Sequence, residues 1–306
     1  MTFVDNYSAR LFSSSFESSI YLLSSICSVP LNISVLPAIN TNFTHHISAG
    51  LANGTIITGQ NAISHPSIPT ALQGQLFSPT QETEEHDRIE DANLPGSLPT
   101  LRKQYITFSK ADEEDLPARI ERIWYINPYG QEIRLAANTK VVEALKECQS
   151  IIYSIGSLYT SIIPSIILRG VGEAIASPDI RHKILILNST TDRETGPSFA
   201  PFSATDFIAA IAKAGSESRG LTGPVAPNEY RMYVTHLIHL QGPGTPHVDR
   251  EELADLGIET IRLYGRRVEG ESFQRYDEKA LIQALEITTG RRDPRADRSR
   301  RNTSTG

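Results

Sequence analysis

A chain of 306 residues with 39% hydrophobic and 21% charged residues can bury a sizeable core and is too apolar for wholesale disorder. Its net charge of -6 argues against a nucleic-acid binder that works through bulk charge. Two cysteines, Cys27 and Cys148, cannot form a disulfide framework or a structural zinc site; they are expected as buried, reduced thiols of a cytoplasmic chain.

The N-terminal segment carries a misleading signal. The apolar stretch Ile20 to Cys27 follows Arg10, and Asn-x-Ser/Thr occurs at Asn32, Asn42, Asn53, Asn188 and Asn302, as in a secreted glycoprotein. Glu17 and the run Ser13-Ser14-Ser15 interrupt that stretch, however, and no A-x-A-like cleavage site follows it. No segment reaches about 18 consecutive apolar residues, so no membrane-spanning helix is expected.

Phe12, Phe16, Ile20, Leu23 and Cys27 recur at helical spacing and predict a helix that ends before Pro30. Ile33 to Leu36 reads as a short strand stopped by Pro37. Ile47, Ala49 and Leu51 alternate, and Asn53-Gly54 separates them from Thr55 to Thr58. That pattern predicts a β-hairpin, because both turn residues tolerate positive φ.

Residues 61–118 change character. Pro66, Pro69, Pro79, Pro95, Pro99 and Pro117 punctuate a stretch that includes Glu82 to Asp87, Glu90 and Asp91. It reads as a mostly disordered acidic insertion with a brief strand at Tyr105 to Phe108, and a solvated loop explains the carboxylates better than a metal site.

From Ile120 onward strands alternate with helices. The strands expected are Ile120 to Ile126, Ile151 to Ile155, Lys183 to Leu187, Thr235 to Leu240 and Ile261 to Tyr264. The continuous apolar run at Ile151 to Ile155 is typical of a strand covered on both faces. Helices are expected after a cap at Asn138 or Thr139, over Ser203 to Ala214, over Asp249 to Leu256 before Gly257, and over Asp277 to Ile287. Alternation of this kind means a parallel sheet in an α/β layer fold. The Arg-rich end, residues 290–306, reads as a solvated disordered tail.

Ligands in such folds bind beyond the carboxyl ends of strands. Gly156, Ser157, Thr160 and Ser161 follow one strand; a flexible backbone, hydroxyls and the free N–H groups of a helix start suit a phosphate or carboxylate, although spacing alone favours a plain helix cap. Asn188 to Gly196 leaves another strand as a polar loop, and Asn40 to Asn42 follows a third. His236 and His239 lie three apart on a strand, so they face opposite sides and make a poor ligand pair; the adjacent His45 and His46 share the fault. No G-x-S-x-G, Walker A or H-E-x-x-H occurs.

The run Tyr153-Ser154-Ile155-Gly156-Ser157-Leu158-Tyr159-Thr160-Ser161-Ile162-Ile163-Pro164 resembles the G-x-G-S-L-Y-T-S-hydrophobic-hydrophobic-P-N signature of the CofD (2-phospho-L-lactate transferase) and YvcK gluconeogenesis-factor superfamily. Leu36-Pro37-Ala38-Ile39-Asn40 is similar to its L-P-A-x-N segment. Leu187 to Thr195 with Phe202 to Asp206 is similar to its N-x-x-T-x-x-G-E-T and S/T-A-x-D stretch, and Arg275-Tyr276-Asp277 to its R-H-D/N. The similarity covers most of residues 11–60 and 119–289, and is nearest the fungal branch.

The resemblance implies a Rossmann-like, doubly wound, mainly parallel sheet with helices on both faces, formed by 1–60 and 119–289 as one discontinuous domain. It implies a nucleotide-linked ligand, since the transferases move phospholactate from a guanylyl carrier to a deazaflavin and YvcK-type proteins bind UDP-sugars. The ligand-binding set would be Asn40, Gly156, Ser157, Tyr159, Thr160, Ser161, Asn188, Thr191, Thr195 and Arg275, with Glu194 as a catalytic base or metal contact and Mg2+ as cofactor. Departures are Ser154 and Arg193 in place of family glycines, and a sugar-contacting aromatic that falls near Leu253. The family's opening strand, Gly-rich loop and D-D-G-G-S motif have no match before Phe12, so the expectation is an N-terminally truncated fold, unstable when expressed alone. Three readings follow: a transferase, a non-catalytic UDP-sugar-binding regulator, or an inactive fragment. A homodimer stays open; nucleic acid and membrane are not expected partners.

Overall fold

The computed structural model describes residues 15–41, 43, 45–64, 98, 101, 115–267 and 273–290. The Tyr105 to Phe108 segment, Phe12 and the Arg-rich tail lie outside them.

Helix α1 (Phe16–Ile26) is capped by Ser15, whose side chain accepts from the Ser18 N–H. Its buried stripe is narrower than the spacing predicts: Ser19 and Leu23 are covered, whereas Phe16 and Cys27 are exposed. Cys27 is therefore not the buried thiol expected. It sits one residue past the helix, where the chain leaves the packed surface, its N–H closing on the Leu23 carbonyl. Cys148 is half-buried. Ile33 to Leu36 forms no strand. Ile33 and Val35 are exposed, and a run this short has no stability without a ladder partner.

The predicted hairpin forms. Strand β1 (His46–Leu51) pairs antiparallel with β2 (Ile56–Thr58), and Gly54 takes φ +85° in the turn. The chain continues through α2 (Gln60–Ser64) and returns as β3 (Ile120–Ile126), antiparallel to β1, and then β4 (Glu132–Ile133). The order of this first sheet is β2-β1-β3-β4. Ile63 and Leu116, near the two ends of the 61–118 stretch, are buried in the same core as Ile47, Ala49 and Ile123.

The second sheet is parallel, in the order β5 (Ser150–Tyr153), β6 (His182–Ile186), β7 (His236–Leu240), β8 (Glu259–Leu263). Alternation along β6 and β7 sends Leu185, Leu187 and Leu237 into the large core, and Ile184, Ile186 and Ile238 into a smaller one. Helix α3 (Thr139–Glu147), with Asn138 as the expected cap, precedes β5. After β5 come a π-helical turn (Leu158–Ile162), α4 (Ile163–Ile166) and α5 (Val171–Ala176). Helix α6 (Ala204–Ser218) packs on the large-core face; Ser203 and Asp206 form its capping box. Helix α7 (Arg250–Asp255) ends at Gly257, which takes φ +73°. A two-stranded ribbon, β9 (Gly265–Arg267) and β10 (Gln274–Tyr276), leads into α8 (Glu278–Thr288), which covers the smaller core. Helices thus lie on both faces of the parallel sheet, as the α/β reading requires.

Two departures concern β5. It stops at Tyr153, and Ile152, expected to be covered on both faces, is 45% exposed. Among the described residues β5 has one strand neighbour, so it is an edge of the sheet, and Ile152 is exposed there.

Helices α5 and α6 cross at two glycines. A Cβ on Gly172 would lie 2.1 Å from the Gly215 carbonyl oxygen, and one on Gly215 would lie 2.2 Å from the Tyr233 ring. The Ser218 hydroxyl completes the contact, accepting from the Gly172 N–H at 2.9 Å and donating to the Leu168 carbonyl at 2.5 Å. No helix among the described residues is long and apolar enough to cross a membrane.

Candidate functional site

The loops after β5, β6 and β7 leave the carboxyl ends of adjacent parallel strands, where α/β folds place their ligands. The first runs Ser154 to Ser157 into the π-helical turn. Gly156 is required there by close packing: a Cβ would lie 2.9 Å from Ser161 Cβ. The Ser157 carbonyl accepts from the Ser161 and Ile162 N–H groups, so the turn is held by its own backbone.

The free N–H groups predicted at this turn exist, and they are occupied. Tyr159 N–H and Thr160 N–H donate to Glu194 Oε2 at 2.8 and 3.0 Å, and the Thr160 hydroxyl donates to Oε1 at 2.5 Å. The anion held at this turn is a carboxylate of the protein itself. Glu194 is 1% exposed. Burial, the dominant influence, pushes its carboxyl up to about 7, and the charge of Asp192 adds to this; the bonds from Thr160 and Tyr159 pull the other way. Tyr159 is buried too, its hydroxyl donating to the Ile120 carbonyl at 2.8 Å.

Glu194 is delivered by a tightly built loop. Asp192 and Thr195 form a capping box around the 3-10 turn Arg193–Thr195. Arg193, which replaces a family glycine, reaches the Ile63 carbonyl at 3.1 Å and fastens the loop to α2. The hairpin of the first sheet thereby braces the loops of the second.

The other half of the β6 loop meets the β9–β10 ribbon. The Tyr276 hydroxyl donates to the Leu187 carbonyl at 2.6 Å and lies 3.2 Å from the Ile238 carbonyl, stapling the ends of β6 and β7. Thr191 N–H reaches the Gly244 carbonyl at 3.4 Å, and Gly242 lies under Gln274, where a Cβ would approach its amide to 3.3 Å. Arg275, beside Gln274 and Tyr276, is exposed and pairs in register with Arg266. Arg266 bonds Asp277 at 3.2 Å, and Arg262, at the end of β8, bonds Gln241 at 2.7 Å. Basic groups therefore gather at this corner.

The sequence-derived residues thus fall into linked groups. Tyr159, Thr160, Glu194 and Thr195 form a buried clamp, with Gly156, Ser157 and Ser161 around its turn. Asn188 and Thr191 lie on the loop whose first carbonyl, Leu187, Tyr276 holds; Arg275, the next residue back on the same strand, is exposed on the opposite face of the ribbon. Asn40 stands apart: the described contacts tie its segment to the start of α3, where Asn138 N–H donates to the Ala38 carbonyl at 2.8 Å. Leu253, where the resemblance puts an aromatic, is wholly buried in the core. Tyr276 was missed as a structural staple, although it adjoins Arg275 in the motif that drew attention to it. His236 stacks near His182, on the face opposite His239, as the strand spacing predicts. Among the described residues no three His, Cys, Asp or Glu side chains converge to hold a metal ion, and no step is assigned to one.

Comparison with known proteins agrees with the architecture. The family model described as 2-phospho-L-lactate transferase CofD matches residues 6–263. The uncharacterized protein YNL011C of Saccharomyces cerevisiae is 34% identical; the match covers 76% of this chain and spans 57% of that protein's length. Two crystal structures of protein BH3568 from Bacillus halodurans, one described as a member of the UPF0052 family, superpose with TM-scores of 0.57 and 0.56. Their identities are 19% and 18%, and each match covers 92% of this chain and 70% of the other. That likeness bears on the fold alone. Taken with the family match over most of its length, the chain belongs to the CofD family.

Proposed function

We propose that this chain binds a nucleotide-linked phosphate ester at the carboxyl edge of its parallel sheet, and that it serves a CofD-like group transfer there. The observation that carries the reading is that the β9–β10 ribbon, on which Arg275 is exposed, closes through Tyr276 and Gln274 on the loops beyond β6 and β7. An arginine there can pair a diphosphate in a bidentate way. In the transfer, an acceptor hydroxyl oxygen attacks the phosphorus distal to the nucleoside. The phosphoanhydride P–O bond breaks, a nucleoside monophosphate leaves, and the acceptor proton passes to solvent. Catalysis of this kind rests on positioning and on neutralising the phosphates. Glu194 acts here as a positioning residue, since both its oxygens are taken by the turn after β5.

The second reading is a nucleotide-sugar binder without turnover. It is favoured by the clamp itself: three hydrogen bonds hold the buried Glu194 carboxyl against the protein's own turn and not against a substrate. Thermal shift with GDP and with UDP-glucose, each with and without Mg2+, combined with assay for nucleoside monophosphate release from a diphosphate-linked donor, separates the readings. Stabilisation with release supports the transferase, and stabilisation without release supports the binder. Absence of any shift at millimolar nucleotide overturns both.

A further inference from the structure

A cleft of about 700 Å³ lies far from the corner just described, between the β3–β4 hairpin and the carboxyl end of α6. Helix α6 separates the two places. It starts beside the loop after β7, where Ala204 N–H donates to the His247 carbonyl. It ends beside Tyr233, ahead of β7, where Arg219 bonds the Tyr233 hydroxyl at 3.3 Å. Fifteen helical residues at 1.5 Å each put roughly 22 Å between these ends.

The cleft is within the size range of small-molecule sites, about 300–1,000 Å³. Its walls are largely apolar, with Leu135, Ile167, Val225 and Tyr230, and its rim is open at Leu221, which is 51% exposed. Its charge is not balanced. The two carboxylates that line it, Glu132 and Glu217, are both engaged by Arg122, at 2.6 and 3.2 Å. Arg134 and Arg169 also line it, and among the described residues neither guanidinium makes an ion pair or hydrogen bond. Arg134 contributes only its field at Glu132. The backbones of these two arginines are neighbours, because Arg169 N–H donates to the Leu135 carbonyl at 2.9 Å and Ala136 bridges Arg169.

An apolar hollow with two uncommitted arginines at one wall is complementary to an anion with an apolar body. We infer that this cleft is a second ligand site, which takes an organic acid with its apolar part against Leu135, Ile167, Val225 and Tyr230 and its acid group between Arg134 and Arg169. The site stands independently of the nucleotide reading.

The test uses two probes with one body: 8-anilinonaphthalene-1-sulfonate, and N-phenyl-1-naphthylamine, which lacks the acid. The full chain should bind the sulfonate at one saturable site and the amine more weakly. R134Q/R169Q should weaken the sulfonate by about tenfold and leave the amine unchanged. A209W, which fills the cleft from α6, should remove both. Circular dichroism verifies that each variant is folded; both arginines are exposed, so the double variant decides the matter if A209W fails to fold. Equal affinity for the two probes, sulfonate binding unmoved by R134Q/R169Q, or no saturable sulfonate site would overturn the inference.

Discussion

Thr160 grips Glu194 at both oxygens: its hydroxyl donates to Oε1 at 2.5 Å and its N–H to Oε2 at 3.0 Å. One residue therefore joins the turn after β5 to the loop after β6, and the clamp fixes the relative placement of the two strand ends. Truncating Glu194 to alanine leaves two buried N–H groups without an acceptor. The expected cost is about 2–4 kcal/mol, read by chemical denaturation.

The same carboxyl predicts a pH dependence. Its folded pKa, about 7, lies above the ordinary value of 4.5. Between these values the folded protein holds a proton that the unfolded chain has released. Stability from this group is therefore full below pH 4.5, falls as pH rises through 7, and is level above that. The effect is worth at most about 3 kcal/mol. Glu194→Gln cannot ionise and should flatten that slope. Identical stability profiles for wild type and variant from pH 4.5 to 8 would show that the carboxyl ionises normally.

Arg275→Ala tests the proposed ligand corner. Arg275 is exposed on the ribbon, so the unliganded melting temperature should move by no more than about 2 °C. The thermal shift produced by a nucleoside diphosphate should disappear. A shift of wild-type size in the variant would place the phosphates elsewhere.

Tyr276→Phe removes the hydroxyl that staples the Leu187 and Ile238 carbonyls. The expected loss is about 1–2 kcal/mol, with faster amide exchange through residues 188–191. Unchanged exchange there would mean that the loop is held by its own contacts and not by the ribbon.

Gly215→Ala places a methyl 2.2 Å from the Tyr233 ring at the α5–α6 crossing. Overpacking of this kind costs about 1–3 kcal/mol, roughly 2–12 °C in melting temperature for a domain of this size. Gly172→Ala meets backbone at 2.1 Å and should cost at least as much.

Much of this fold could be read from local pattern. Asn53-Gly54 between alternating runs specified a hairpin, and Asn138, Ser203 and Asp277 marked helix starts, because turn and cap geometry depend on neighbours in the chain. The same pattern misjudged Ile33 to Leu36 and Ile152. Whether an apolar run pairs as a strand, or is covered on both faces, depends on partners distant in sequence. The periodicity at Phe16 and Cys27 likewise announced a helix face without saying how much of it would be covered.

The candidate site divides along the same line. The sequence by itself determined the family, the parallel sheet and the polar loops at its carboxyl edge, since motif spacing and period-2 alternation are local properties. Only the tertiary structure decided that Glu194, 34 residues after Thr160, would fill the N–H groups that spacing had offered to a ligand. It also brought Arg134 and Arg169 together on one wall of a cleft. An unpaired donor or charge can be located in a sequence, but its partner is chosen by packing, which joins residues the chain keeps far apart.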